Sequence, residues 1–303
     1  EVPLTALSPA DQKFVGEQVK REEARLAAET TQTGGEFEYG APRKLAEIAS
    51  AAVSESSGLA VSRRHEGLFW THNDSGDDPR LYLFDREGRD LGWCELEGVQ
   101  AFDWEDLAGF SYQGKSYLLV CDVGNNGRSA GVHMMYLVEE PDEPPPAAAG
   151  RTIPVVETIH FAYEDDFRNC EAVAVDPTDR TILLVSKELG RPATVYSLAW
   201  PPTDAQKPAK ACRIGDLRLP AVTAIDVSPD GRRAIVLTYA HAYEYTRRSG
   251  QSWADAFASK PRQIKMPERV QGESICYGLD GKTLYLTSEK RPAPLWEVAP
   301  RGQ

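Results

Sequence analysis

The sequence predicts an all-β protein: a five-bladed β-propeller closed by an N-terminal strand and preceded by a short helix. Three observations carry that expectation. A small or acidic residue followed by alternating apolar positions occurs in "SGLAVS" from Ser57, "EDLAGFS" from Glu105, "EAVAVDP" from Glu171, "TAIDVSP" from Thr223 and "ESICYGL" from Glu273. These copies recur about every 50 residues, the length of one four-stranded blade. Each is followed by further strand patterns separated by hairpin signals such as "TDR", "PDGRR" and "LDGK".

The elements follow in chain order. "LSPADQKFVGEQVKREEARLAAET" has Ser8 as N-cap, Pro9 at the first helical position and Asp11 three residues after the cap, which predicts a helix over about residues 9–29. Its apolar positions are sparse, so it lies on the surface or projects. "TTQTGGEFEYG" is a linker, and residues 1–43 form a unit apart from the propeller, 44–303. "KLAEIASAAV" from Lys44 is the strand left over to complete the last blade. Second strands are "GLFWTHND", "SYLLVCD", "TILLVSKE", "RAIVLTY" and "TLYLTSE"; third strands are "RLYLFD", "HMMYLVEE", "ATVYSLAW", "HAYEYTR" and "PLWEVAP". Fourth strands are "LGWCELEG", "TIPVVETIHFAY", "CRIGDLRL" and "RQIKMP", and the fifth unit runs out of chain after its third strand. Closure by the N-terminal strand would leave no open sheet edge. Six blades is the alternative, and it needs about 40–50 residues more than the chain offers.

Composition bounds the function. Apolar residues make up 41% of the chain, enough for a packed core. There are 34 basic and 46 acidic residues, a net charge of −12, which disfavours nucleic acid and anionic membrane surfaces as partners. No apolar run reaches the roughly 18 residues of a spanning helix. The opening residues lack a basic and an apolar leader region, so the start reads as mature or trimmed. Cys94, Cys121, Cys170, Cys212 and Cys276 form no CxxC pair and are expected as free thiols in strands, with a Cys121–Cys170 bridge conceivable.

In a propeller blade the start of the first strand and the end of the second lie at the same mouth of the channel. That gathers Ser57, Glu105, Glu171, Thr223 and Glu273 with Asp74, Asp122, Glu188, Tyr239 and Glu289. Most of these are carboxylates, and so many around one opening repel unless a cation neutralises them. Calcium suits such a set, because it takes six to eight oxygens in irregular geometry. One Ca²⁺ is therefore expected on a subset of Glu105, Asp122, Glu171 and Glu273. The alternative is that the acids cap strand ends and pair with arginines.

Cations flank the same rim: Arg128 in "DVGNNGR", Lys187 and Arg191 in "KELGRP", and Lys290 and Arg291 in "SEKRP". They read either as a salt-bridge network or as an anion clamp beside a metal. The second reading suits hydrolysis of a phosphate or other anionic ester, with Glu105, Arg128 and Arg191 in the site. "THNDSGDDPR" adds His72 as the best general acid–base candidate, although this stretch also suits a hydrogen-bonded turn. His241 occupies the matching rim of the fourth unit. Asp103 and Asp106 are either outer acceptors or blade-to-blade links, and Trp104 is expected to wedge between blades.

The series "SGLA", "DWEDLA", "CEAVA", "TAID" and "GESI", with "LYLTSEKRPAPLWEV", resembles bacterial β-propellers of the phytase-like, esterase-like and SdiA-regulated type, over about residues 50–300. That resemblance implies an axial calcium site, inward acids at Glu105, Glu171 and Glu273, and export from the cytoplasm. The chain departs from the pattern at Thr223 and Tyr239, and lacks the dense acid pairs of an alkaline phytase. The opening "EVPLTALSPADQKFV" is similar to the exit of a small SH3-like module of bacterial extracytoplasmic proteins. Two functions follow as expectations. One is a monomeric, extracytoplasmic, metal-dependent hydrolase of an anionic ester. The other is a calcium-stabilised, non-catalytic module that binds a glycan, peptide or protein.

Overall fold

The computed structural model describes residues 36–302 apart from 75, 125–131, 148, 166–167, 189–190, 203–206, 270–271 and 290, together with Glu17, Arg21 and Ala24. The expected N-terminal helix thus falls almost wholly outside the described residues.

The chain is all-β and fits a β-propeller. After β1 (Arg43–Glu47), the first unit is the antiparallel run β2 (Ser56–Val61), β3 (Leu68–Asn73), β4 (Arg80–Asp85) and β5 (Asp90–Leu96). The second begins with β6 (Trp104–Tyr112), β7 (Lys115–Asp122) and β8 (His133–Glu139). Here the chain departs from expectation. "TIPVVETIHFAY" is two strands, because Pro154 cannot donate to a ladder. β9 (Gly150–Ile153) crosses to pair in parallel with β5, and β10 (Glu157–Tyr163) pairs with β8. The third unit is β11 (Cys170–Asp176), β12 (Thr181–Ser186), β13 (Ala193–Ala199) and β14 (Ala209–Leu217). β14 also pairs in parallel with β10, which fuses two units into one eight-stranded sheet.

The fourth unit is β15 (Val222–Val227), β16 (Arg233–Thr238), β17 (His241–Thr246) and β18 (Arg262–Lys265). A short helix, α1 (Trp253–Phe257), is inserted before its last strand and capped by Ser252, whose side chain accepts from the Asp255 N–H. The fifth is β19 (Gly272–Tyr277), β20 (Leu284–Ser288) and β21 (Pro294–Val298), and β1 pairs antiparallel with β21 to complete it. No helix among the described residues is long and apolar enough to cross a membrane.

The first strands form a ring: β2 packs beside β6, β6 beside β11, β11 beside β15, β15 beside β19, and β19 beside β2. They are buried on both faces, so their apolar residues fill the seams between units. Trp104 wedges one such seam, buried with Trp70, Leu81, Leu107 and Val120. Each fully buried aliphatic or aromatic side chain contributes about 1.5–3 kcal/mol, so seam packing dominates the stability. Four cysteines are buried thiols, Cys212 is exposed, and Cys121 and Cys170 are both free.

Polar staples cross the same seams. Asp106 accepts from the backbone N–H of Leu107 at 2.8 Å and of Val173, one unit on, at 2.8 Å. Asp226 repeats this two residues further along its strand, accepting from Val227 at 2.8 Å and Tyr277 at 2.7 Å. Ser57 Oγ donates to the Glu105 carbonyl, and Thr223 Oγ1 to that of Gly272. Asp106 is therefore a link between units.

Candidate functional site

Each first strand carries a β-bulge at the same repeat position. The ladder register slips between Ser56 and Gly58, Trp104 and Asp106, Cys170 and Ala172, Val222 and Ala224, and Gly272 and Ser274. The skipped residues are Ser57, Glu105, Glu171, Thr223 and Glu273. A bulged residue leaves the ladder, and its side chain is re-aimed. The sequence alignment finds these positions, but the bulge that turns them toward one mouth is a property of the pairing.

Of the expected acids, Glu105, Glu171, Glu273, Asp74 and Glu289 come together, and Asp103 joins them. Burial holds the Glu105 carboxyl well above the usual carboxylate range; Glu171, Asp74 and Asp103 push it further, and Lys187 pulls back. Burial also raises Glu273, opposed by the Lys187 ammonium and reinforced by Glu289, Glu171 and Asp74. Burial acts to lower Lys187, but Glu171, Tyr239, Glu273 and Glu105 overcome it and raise it well above the ordinary lysine value. Lys187 is thus the internal counter-ion of the mouth. Its Nζ donates to Glu171 Oε2 at 2.9 Å, Asn169 Nδ2 donates to Glu171 Oε1 at 3.0 Å, and Nζ stands 5.3 Å from the Tyr239 ring centre.

One side of the mouth has a different character. Asp74, Asp103 and Glu105 present carboxylate oxygens that all lie within 4.8 Å of one another. Oxygens bound to one calcium at about 2.4 Å lie no further apart than this. Gly124 makes room for them, since a Cβ there would come within 2.2 Å of both Asp103 Oδ2 and Glu105 Oε1. Glu273 is 3% exposed, and its Oε1 has no hydrogen-bond partner among the described residues. A hard oxygen donor set with a buried unpaired oxygen beside it fits a divalent cation.

Other expected residues are placed elsewhere. Asp122 is fully buried, and its oxygens accept from the N–H of Asp103 at 3.0 Å and of Phe102 at 3.3 Å, so it caps the strand that presents the site. Glu188 accepts from Arg191 Nε at 2.6 Å and from Ser186 Oγ at 3.2 Å. His72 is fully buried, packed edge-on against Trp104 at 5.5 Å, and donates Nδ1–H to the Asn73 carbonyl at 2.7 Å. Burial lowers its pKa to about 4, which leaves a neutral ring inside a seam. His241 is lowered by burial and by Arg269 and Lys265, on the basic side of the fourth unit. Arg291 is exposed; Arg128 and Lys290 lie outside the described residues. Asp103 was legible only as a neighbour of Glu105, because it lies before the strand and outside the aligned repeat.

No family model matches the chain, and no curated protein matches it. Among solved structures, a chain from a crystal structure of a nidogen/laminin complex is similar, with a TM-score of 0.48 and 9% identity over 80% of this chain and 74% of that one.

Proposed function

We propose that this chain is a five-bladed propeller closed by β1, and that Asp74, Asp103 and Glu105 hold one calcium ion at its channel mouth. The cyclic packing of five first strands supports the blade count. The observation that carries the metal reading is the convergence of three carboxylates within 4.8 Å beside the backbone of Gly124. Asp122 and Glu171 are spent on backbone N–H groups and on Lys187, which moves the proposed ion off the axis toward the first and second blades.

The same geometry favours a calcium-stabilised binding module over an ester hydrolase. Of the rim cations expected to form an anion clamp, Lys187 and Arg191 are engaged by the internal acids Glu171 and Glu188. A general acid–base group needs access to substrate, and His72 has none. The ion would fix the blade-ending loops that face a glycan or protein partner outside the cytoplasm.

Thermal unfolding with Ca²⁺ and with EDTA tests this. Ligand at a hundredfold excess over Kd stabilises by about 2.7 kcal/mol, so Tm should rise by several degrees. Glu105→Gln should abolish the rise. An equal rise in that variant would remove the site from these residues. Turnover of p-nitrophenyl phosphate with Ca²⁺ that is lost in Glu105→Gln would favour the hydrolase instead.

A further inference from the structure

A second concavity lies far along the chain from the acidic mouth, where α1 folds back against the end of β14. It encloses about 260 Å³ and is lined by Asp216–Leu219, Tyr245 and Phe257–Pro261. Its walls are apolar and firmly held. Leu217, Leu219, Tyr245 and Phe257 are at most 4% exposed and belong to one core cluster. Phe257 stands edge-on to Tyr245 at 5.2 Å and stacks on Trp253 at 5.5 Å.

The charged groups are few, two basic and one acidic: Arg218, Lys260 and Asp216. Arg218 and Lys260 line the cavity, are exposed, and have no ion-pair partner among the described residues. The acid beside them, Asp216, already accepts from Arg213 at 2.5 Å. Tyr245 also lines the cavity, and its hydroxyl makes no hydrogen bond among the described residues. A cavity of roughly 150 Å³ admits benzene, so this one holds a ring with a short chain. Ligand pockets of this kind combine apolar walls with a few convergent polar groups.

We propose that this cavity is a ligand site, separate from the channel mouth, for a small carboxylate with a compact apolar body. The body packs on Leu217, Leu219 and Phe257. The carboxylate meets Arg218 and Lys260, and the Tyr245 hydroxyl donates to it. Only the fourth unit carries a helix in this connection among the described residues, so the other units lack the wall that α1 supplies.

The test is calorimetric titration of the intact chain, in EDTA, with 3-phenylpropionate, 3-phenylpropanol and 3-phenylpropylamine, with Trp253 fluorescence as a second reading. The acid is expected to bind at least tenfold more tightly than the alcohol, and the amine more weakly still. Arg218→Ala with Lys260→Ala should weaken the acid by about tenfold or more, and Tyr245→Phe by severalfold. Asp74→Asn should leave it unchanged, which separates this site from the channel mouth. Absence of acid binding overturns the proposal, as does equal binding of the alcohol or an undiminished affinity in the double variant. Arg218 and Lys260 are both exposed, so the double variant is expected to keep the core and fold.

Discussion

Lys187 Nζ lies 2.9 Å from Glu171 Oε2, and the two side chains are only 13% and 12% exposed. This pair divides the channel mouth. On one side Glu171 is held by an ammonium; on the other, Asp74, Asp103 and Glu105 bring their carboxylate oxygens within 4.8 Å of one another.

Lys187→Met should therefore increase the need for a metal. Breaking a buried pair while leaving its partner charged costs about 3–5 kcal/mol. Urea unfolding in EDTA should show that loss, and Ca²⁺ should raise the midpoint by more in the variant than in the parent. An unchanged calcium increment would mean that the lysine and the ion occupy independent fields.

Gly124→Ala tests the site without removing a charge. Its Cβ meets Asp103 and Glu105 at 2.2 Å, so the carboxylates must move apart. Calcium affinity should fall by about tenfold or more, since displacement of ligands by an ångström spoils a coordination sphere. Circular dichroism should stay that of the parent.

Asp226 sets a pH dependence that is independent of the metal. Burial pushes its carboxyl up to about 6, with Arg63 and the N–H groups of Tyr277 and Val227 pulling back. A raised carboxyl binds its proton more tightly when folded. Its stabilising contribution is full below the unfolded value of about 3.9 and is lost as the pH rises through the folded one. In EDTA, stability from this group should fall between pH 4 and pH 7 by on the order of 3 kcal/mol. Asp226→Asn should flatten that slope, whatever uniform offset the substitution brings. An identical slope in urea midpoints across this range would refute the assignment.

Asp106→Leu should cost more than a surface change, because it strips an acceptor from two buried N–H groups, those of Leu107 and Val173. Each unsatisfied donor costs roughly 1–3 kcal/mol. The urea midpoint should drop with the slope m retained, as for a fold that stays cooperative.

The repeat was plain in the chain because a strand buried on both faces must repeat its apolar positions in every unit. The same alignment located Glu105, Glu171 and Glu273, since a position that faces the axis once faces it in each unit. The roles of these acids were less legible. Asp122 and Glu105 look alike in sequence, yet one spends its oxygens on backbone N–H groups and the other keeps them for the mouth. Lys187 read as one rim cation among several, because a lysine's reach is settled by packing rather than by spacing. His72 stands two residues before Asp74 in sequence, yet its ring is buried against Trp104 in the seam, a placement that packing decides and spacing does not reveal. The detour of β9 and the insertion of α1 are local departures that a search for sameness passes over.

The pairing of β9 with β5, and of β10 with β14, bears on how the molecule comes apart. Arrays of similar units ordinarily lose structure piece by piece from an end, since each piece touches only its neighbours. Here the outer perimeter is laced as well as the hub: the second unit lends a strand to the first and shares a sheet with the third, while β1 ties the two ends of the described barrel of sheets together. None of the first three units can peel away without tearing a hydrogen-bonded seam belonging to another, so these three should melt as one body.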